Sequence, residues 1–492
     1  MKWALVAWGI CMGCMAQTIT VDASAEARPF PHFWERAFGS GRANLSMRQS
    51  YRDDLRTVHE ATGFEYVRFH GIFDEENGVY SEDAQGKPVY NWTYVDQIYD
   101  GLLDAGVKPY VELSFMPSKL ASSQRPHPFW YKPLPNPPSD YGNWGALVEA
   151  FTRHLVERYG IEEVSQWIFE VWNEPNIDFW TGKPAFETYM QLYASAAKAV
   201  KAVSPRLRVG GPATAQAAWA GQFIAACVKQ GLPVDFVSTH VYGNDSAQNV
   251  FGTEEAIPQS EMVARAVKKV HEEIAKSDKP GLPLYFSEFN ASYMNKVNTT
   301  DSPFIGPWLA NTIRLCDGLV DMMAYWSFSD VFEEGGVAKT PFYGGYGLMA
   351  VGGIPKAALN DFRLLHKLGE ERLVNASDSA LVTRRKDGSL AVAVWNYAAP
   401  EETGTAQMVR LDVRGLRGRQ VVRITKVDAE HGSALRVWEE MGRPAFPSRE
   451  QQKRLREAGE LPRAVEKSWT PGTRIEFELQ PKGLAVVEMS GK

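Results

Sequence analysis

Cysteine is scarce, with four residues in 492, and two of them, Cys11 and Cys14, lie within the first sixteen positions. The other two, Cys227 and Cys316, lie in separate apolar segments, which favours buried thiols over a disulfide. Charge of one sign is scarce too, because 53 Lys and Arg oppose 59 Asp and Glu for a net charge of -6. Such a mild acidic excess supplies no phosphate-binding field, which argues against nucleic acid or an anionic membrane as the main partner.

The early strand-like segments lack a Gly-rich phosphate or dinucleotide loop, which counts against an open doubly wound sheet. The N-terminal apolar run, residues 3–15, is too short for a permanent membrane span. A hydrophobic content of 44% and a charged content of 23% exclude wholesale disorder and collagen-like order. Aromatic residues are abundant instead, with 15 Trp, which suits stacking on flat ligand faces as well as ordinary core packing.

The N-terminus has the pattern of a secretory signal peptide. Lys2 precedes the apolar run, which ends at a small-residue exit, so we predict cleavage after Ala16 and a secreted or periplasmic protein. Two alternatives stay open: a lipoprotein modified at Cys14, and an uncleaved or cytosolic start. The lipoprotein is less favoured because Cys11 stands where a large aliphatic residue is expected.

Strand-like and helical segments alternate from about residue 33 to residue 365. Eight such repeats are the number that closes a (β/α)₈ TIM barrel, so we predict an α/β barrel domain over residues 31–368. The predicted strands are 33–40, 66–73, 108–116, 167–172, 208–212, 234–242, 284–290 and 323–330.

After residue 368 the pattern changes to short strands separated by Gly, Pro and Asp turns, without long helices. This predicts an all-β, sandwich-like accessory domain over residues 369–492, with a charged insertion near 443–469. The N-terminal segment 17–30 contains a strand-like stretch that has no partner nearby. We assign that strand to the C-terminal sheet.

Two glutamates stand where barrel strands end, which is where such barrels build their active sites. Strand four runs into the tetrapeptide NEPN, and strand seven ends in SEFN. Glycoside cleavage needs one protonated carboxyl and one ionised carboxylate on either side of the anomeric carbon. We therefore predict Glu174 as the general acid/base and Glu288 as the nucleophile. The charge of Glu288 and partial burial should keep Glu174 protonated.

The stretches around these glutamates resemble a known clan, the retaining barrel glycosidases with an acid/base on strand four and a nucleophile on strand seven. Within that clan the sequence looks most like glycoside hydrolase family 39, the β-xylosidase and α-L-iduronidase family. The resemblance implies a two-glutamate retaining mechanism, a small glycoside or oligosaccharide as the partner, and no metal or organic cofactor. The matching stretches are 67–73, 170–176, 238–242, 287–292, 325–334 and, in the β-rich tail, 438–441.

The resemblance and the chemistry together give roles to further residues. Asn173 would hydrogen-bond the sugar 2-hydroxyl, with a turn-capping amide as the alternative. His240 and Tyr242 emerge on one face of strand six, where they would orient Glu288 or a ring hydroxyl. His70 would bind a sugar hydroxyl or be a buried structural histidine.

Arg68 lies on the same strand face as His70, where it would hold Glu288 ionised or form an interior ion pair. Trp326 and Trp180 are candidate stacking surfaces, with core packing as the alternative for both.

The pair Glu333 and Glu334 bears on the sugar. In the xylosidases that the sequence resembles, this pair hydrogen-bonds ring hydroxyls. A sugar with its own carboxylate would need cationic contacts, because an unpaired buried like charge is costly. The iduronidase branch places a Lys where this chain has Tyr242. A neutral sugar, and by resemblance a pentose, is therefore favoured.

These observations predict a retaining exo-acting β-D-xylosidase that releases xylose from xylo-oligosaccharides or aryl xylosides. Other family-39-like activities, on arabinosides or on iduronides, are the alternatives among enzymes. A secreted carbohydrate-binding protein without turnover is the alternative from another class, and the intact glutamate pair argues against it. The sequence leaves the oligomeric state open.

Overall fold

Eight short, buried strands close a parallel barrel in the computed structural model, which describes residues 15–491. Each strand pairs with the next along the chain, and strand eight returns to pair with strand one. The predicted (β/α)₈ barrel is therefore confirmed. Barrel strands one to eight are Ala37–Gly39, Tyr66–Phe69, Lys108–Leu113, Ile168–Val171, Arg208–Thr214, Phe236–Tyr242, Leu284–Asn290 and Met322–Tyr325.

Amphipathic helices pack around these strands. In Gln259–Ala275, for example, the buried residues recur every three or four positions, the spacing of one helix face. The helices of this domain are Gln49–Thr62, Thr93–Leu103, Tyr141–Tyr159, Ile161–Val164, Ala185–Val203, Ala220–Gln230, Ala247–Phe251, Gln259–Ala275, Val297–Thr300, Ile305–Cys316 and Ala357–Leu365, with 3₁₀ turns at Ala43–Met47, Glu75–Asn77 and Ala215–Ala217. Two small strand pairs lie in the loops, Tyr80–Glu82 with Pro88–Tyr90 and Met349–Ala350 with Ile354–Pro355.

The barrel interior is layered. Apolar and aromatic side chains, among them Tyr66, Tyr110 and Ile168, fill its lower part. Two residues further along the same strands, and so on the same face, stand Arg68, Glu112 and Glu170, all buried. Charged groups therefore separate the apolar plug from the mouth where the strands end.

The C-terminal domain is a sandwich of two sheets around one apolar core. In Gln407–Arg414 the alternate residues Val409, Leu411 and Val413 are buried, as expected of a strand with one face on a core. In spatial order, the larger sheet contains Ala27–Pro29, Glu371–Leu373, Ala380–Arg384, Leu390–Asn396, Gly483–Gly491, Gln420–Val427 and Val465–Trp469, and the smaller contains Met15–Asp22, Gln407–Arg414 and Ile475–Leu479.

The N-terminal segment belongs to this domain, because Met15–Asp22 pairs in parallel with Gln407–Arg414. The charged insertion differs from the prediction. Its last part, Val465–Trp469, is a strand of the larger sheet. The insertion carries one helix, Arg449–Ala458, and a second short helix, Leu435–Glu440, precedes it. An apolar cluster that includes Phe342 and Trp438 packs it against the barrel loops.

Cys227 and Cys316 are buried free thiols. The predicted signal segment lies outside the described residues except for Met15 and Ala16, which begin the first strand. Within residues 15–491, none of the helices has the length and hydropathy that crossing a membrane requires.

Candidate active site

A cavity of about 420 Å³ opens at the carboxyl ends of the barrel strands. Its lining mixes carboxyl groups with aromatic rings, a combination suited to a polar ligand that has a flat apolar face. Of the residues singled out in the sequence, it contains His70, Asn173, Glu174, Tyr242, Glu288, Trp326 and Glu334. The other lining residues are Phe129, Ile177, Phe179, Ala215, Gln216, Asp245, Tyr293 and Tyr346.

Glu174 and Glu288 meet in this cavity from different strands. Glu174 follows strand four in a tight turn, where Trp172 and Glu174 itself have φ angles of 73° and 45°. Glu288 lies within strand seven. One carboxylate oxygen of each residue and a ring nitrogen of His240 all lie within 4.8 Å of one another. The two carboxyl groups can therefore act on a single atom of a bound ligand.

Glu288 accepts hydrogen bonds on both carboxylate oxygens. Arg68 donates to Oε1 at 2.7 Å, and the Tyr242 hydroxyl donates to Oε2 at 2.6 Å. Burial raises the pKa of Glu288 above that of an ordinary glutamate, although Arg68, the nearby His70 and the bond from Tyr242 oppose this shift. These partners stabilise the ionised form of Glu288.

Glu174 is the partner that holds the proton. Burial raises the pKa of Glu174 well above that of an ordinary glutamate, and the charge of Glu288 raises it further. Its Oε1 lies 2.9 Å from Nδ1 of His240, which is fully buried. Burial and the neighbouring Arg68 lower the pKa of His240 well below its usual value, so this ring is neutral. The pair thus combines one protonated and one ionised carboxyl group.

Arg68 links the floor of the cavity to the layer below. Besides Glu288, its guanidinium contacts Glu170 at 2.6 Å and Glu112 at 2.8 Å, and all four side chains are nearly or fully buried. Arg68 thus has both of the roles considered for it, because it forms interior ion pairs and also contacts Glu288. Burial opposes the ionisation of Glu112, but Arg68 and His70 lower the pKa of Glu112 below its usual value.

Asn173 presents a donor to the cavity. Its Oδ1 accepts from Arg68 at 3.0 Å, and because Arg68 can only donate, the amide orientation is fixed. The Nδ2 atom is buried without a hydrogen-bond partner among residues 15–491. Such a buried, unpaired donor is costly unless a ligand satisfies it. The sugar hydroxyl predicted for Asn173 would do so.

His70, Glu334 and Trp326 form one wall. Nδ1 of His70 lies 2.7 Å from Glu112, and its Nε2 lies 3.6 Å from Glu334. The Trp326 ring packs 4.9 Å from the His70 ring at an angle of 39°. Burial raises the pKa of Glu334 to about 8, although His70 opposes this shift. Near neutral pH the Glu334 carboxyl can therefore donate as well as accept.

A family model described as "Glycosyl hydrolases family 39" matches residues 17–475. The chain belongs to that family. It is 38% identical to a beta-xylosidase from Geobacillus stearothermophilus over 86% of this chain and 85% of the relative. It is 35% identical to a beta-xylosidase from Caldicellulosiruptor saccharolyticus over 96% and 98%. The crystal structure of a monomeric beta-xylosidase from Caulobacter crescentus CB15 superposes with a TM-score of 0.88 at 34% identity, covering 96% of this chain and 99% of that one.

Glu333 is placed differently from the prediction for this family 39 chain. Its carboxylate is bound by Arg48, with Nη2 to Oε2 at 3.0 Å, and by Arg42 at 3.4 Å, and it is not among the residues that line the cavity. Glu333 has a φ of 64°, in the left-handed region that non-glycine residues rarely adopt. Sugar binding by Glu333 therefore stays a prediction, whereas Glu334 lines the cavity directly.

Trp180 also lies outside the described lining of the cavity. Its side chain is 2% exposed, packs edge to face on Trp172 at 5.1 Å, and donates from Nε1 to Thr188 at 3.0 Å. The loop after NEPN folds back on the helix Ala185–Val203 and carries the ring into the core. Trp180 therefore packs in the core, which was the alternative role, and does not stack on a ligand in this cavity.

Several lining residues had little or no sequence signal. Phe129 comes from the Pro-rich loop after strand three. Gln216, Asp245 and Tyr293 follow strands five, six and seven, so only their position after a strand end could have indicated them. Burial raises the pKa of Asp245 to about 6.

Proposed function

We propose that this family 39 chain is a retaining, exo-acting β-D-xylosidase that releases xylose from xylo-oligosaccharides and aryl xylosides. The spacing of the two carboxyl groups is the observation that carries the proposal. Retaining glycosidases hold theirs roughly 5–5.5 Å apart, and inverting enzymes about 6.5–9.5 Å apart to admit a water. One oxygen of Glu174 lies within 4.8 Å of one oxygen of Glu288, a close approach that supports the shorter, retaining spacing.

The reaction takes two displacements. Glu174 protonates the aglycone oxygen while Glu288 attacks the anomeric carbon, so the glycosidic C–O bond breaks as the glycosyl–Glu288 ester forms. The ester no longer carries the charge of Glu288, and the pKa of Glu174 falls. Glu174 then takes a proton from a water molecule, and the water oxygen attacks the anomeric carbon. The ester bond to Glu288 breaks, and the sugar leaves with its original configuration.

The charges in the cavity support a neutral sugar. Its described lining contributes the carboxyl groups of Glu174, Asp245, Glu288 and Glu334 and one imidazole, that of His70. A uronic acid would bring a further carboxylate among these acids without a dedicated cation. The buried amide of Asn173 and the carboxyl of Glu334 can instead bind ring hydroxyls.

A panel of nitrophenyl glycosides tests the proposal. We expect turnover of the β-D-xyloside to exceed that of the arabinosides and the α-L-iduronide, and ¹H NMR of the first product to show β-xylose. α-Xylose as the first product would exclude retention. Turnover of the iduronide alone would overturn the neutral sugar, and binding of xylose without turnover of any glycoside would indicate a carbohydrate-binding protein.

We also propose that the chain is exported, with cleavage after Ala16. The argument is the charged start, the apolar run and the small-residue exit of the first sixteen residues. The intact mass of protein recovered from the medium or periplasm tests it: a new N-terminus at Gln17 is expected. A lipid-modified Cys14 or an intact Met1 would overturn this cleavage.

A further inference from the structure

Three buried side chains form a continuous hydrogen-bonded series behind Glu174. Its Oε1 lies 2.9 Å from Nδ1 of His240, and Nε2 of His240 lies 3.1 Å from the Ser287 hydroxyl. Ser287 donates to Oε1 of Glu170 at 2.7 Å. Strands four, six and seven thus supply Glu170, His240 and Ser287. Neither Ser287 nor Glu170 lines the cavity.

Glu170, at the end of this hydrogen-bonded series, determines which atom donates in each of its hydrogen bonds. Glu170 accepts from Arg68 at 2.6 Å and from the Tyr110 hydroxyl at 2.9 Å, in addition to Ser287. With these three donors around it, the Glu170 carboxylate acts only as a hydrogen-bond acceptor. Ser287 has one hydroxyl hydrogen, which it gives to Glu170, so toward His240 it can only accept.

His240 is neutral and therefore carries one ring proton. Because Ser287 accepts from Nε2, that proton is on Nε2, and Nδ1 presents a bare lone pair to Glu174. A lone pair 2.9 Å from an ionised carboxylate would be repulsive, whereas a protonated carboxyl can donate to it. The chain therefore favours the protonated form of Glu174.

We propose that Ser287, oriented by Glu170, is a positioning residue that fixes the Nε2–H tautomer of His240 and so keeps the proton on Glu174. The inference rests on the proposed function, since it concerns the acid of that same reaction. When an aglycone oxygen is bound, Glu174 gives this hydrogen to it. The Glu174 O–H bond breaks, the O–H bond of the leaving alcohol forms, and the glycosidic C–O bond is lost.

Other charged groups around the site also affect the protonation of Glu174 and His240. They come from strands two and seven and from the loops after strands six and eight. Those that face Glu174 are Glu288, Asp245, Arg68 and Glu334. Those that face His240, besides Glu174, are Arg68, His70 and Glu288, whose Oε1 lies 3.7 Å from Nδ1 of His240. The substitutions used to test the inference leave all of these groups in place.

Ser287→Ala is the decisive variant. Without its acceptor on Nε2, His240 can adopt the Nδ1–H tautomer and donate to ionised Glu174. Activity requires protonated Glu174 and is lost as the pH rises through its pKa. We therefore expect the basic limb of kcat/KM for 4-nitrophenyl β-D-xyloside to move to lower pH by roughly one unit, with the acidic limb in place.

Two further variants separate this role from a merely structural one. Ser287→Thr retains a hydroxyl and should restore the basic limb. Ser238→Ala is the matched control, because Ser238 is equally buried on strand six and its hydroxyl has no partner within the described chain. A basic limb that stays in place in Ser287→Ala, or that shifts equally in Ser238→Ala, would overturn the inference.

The tautomer can also be read without activity. In ¹⁵N-histidine-labelled protein, the ring-nitrogen shifts distinguish a protonated from a bare nitrogen, and the signals that His240→Gln removes identify His240. We expect a protonated Nε2 and a bare Nδ1 in the native chain, and a changed pattern in Ser287→Ala. A protonated Nδ1 in the native chain would overturn the inference even if xylosides are hydrolysed. The expected pattern without hydrolysis of any glycoside would instead contradict the proposed function.

Discussion

The hydroxyl of Tyr242 donates to Oε2 of Glu288 at 2.6 Å, leaving Oε1 to Arg68. Hydrogen bonds to a carboxylate are stronger than those to a neutral carboxyl, so both donors stabilise the ionised form. The glycosyl–enzyme ester can form only while Glu288 is ionised. Activity must therefore fall as the pH decreases through the pKa of Glu288.

Tyr242→Phe should raise the pKa of Glu288, since Arg68 is then left as the direct donor. We expect the acidic limb of kcat/KM to move to higher pH by roughly one unit, measured on 4-nitrophenyl β-D-xyloside. Tyr99→Phe is the control, because it removes a buried hydroxyl that has no partner among residues 15–491. An acidic limb that does not move would show that the Tyr242 bond does not favour ionised Glu288.

Glu288→Ala tests the nucleophile. Without the attacking carboxylate, turnover of the nitrophenyl xyloside should fall by roughly 10⁴-fold or more. Azide can occupy the space of the removed side chain and should restore turnover, giving the xylosyl azide of inverted configuration. Product analysis by NMR checks this outcome, and an azide product of retained configuration would reassign the nucleophile.

Glu174→Ala tests the acid through the leaving group. General acid catalysis contributes roughly 10²–10⁴-fold, and an alcohol of low pKa departs without it. We expect xylobiose hydrolysis to fall by about that factor, while the first step on dinitrophenyl xyloside, read from the burst of released phenol, changes little. Equal losses on both substrates would show that Glu174 does not act as the acid.

The strand pattern carried most of the fold prediction and the location of the carboxylate pair. Barrel strands are apolar runs with few interruptions, so a glutamate at the end of run four and another at the end of run seven had to reach the same face. Glu112 and Glu170 offered a further signal that the sequence predictions did not use. A charge in the middle of a buried strand requires a partner, and Arg68 provides it for both.

What the sequence could not provide depends on loop geometry. Glu333 and Glu334 are identical in chemistry, yet Glu334 lines the cavity while Glu333 binds Arg42 and Arg48. Trp180 follows the acid motif closely, yet its loop folds inward to Thr188. Strand periodicity predicts the direction of a side chain within a strand, but a turn has no such period.

The adjacent acids Glu333 and Glu334 offer a matched pair of Glu→Gln variants. Glu334 lines the cavity beside His70, where near neutral pH it can exchange hydrogen bonds with sugar hydroxyls. Glu334→Gln should lower kcat/KM for the xyloside by roughly 10-fold, about one hydrogen bond to the ligand, and leave the melting temperature nearly unchanged.

Glu333→Gln should show the opposite pattern. Its carboxylate neutralises Arg42, which is 5% exposed, and Arg48, so the amide leaves buried positive charge under-compensated. Glu76 still pairs with Arg42 at 2.6 Å, which limits the loss. We expect the melting temperature to fall by about 2–4 °C with kcat/KM within about twofold of the native value. Thermal unfolding and xyloside kinetics of both variants test these expectations. A larger loss of kcat/KM in Glu333→Gln than in Glu334→Gln would show that Glu333 binds the sugar.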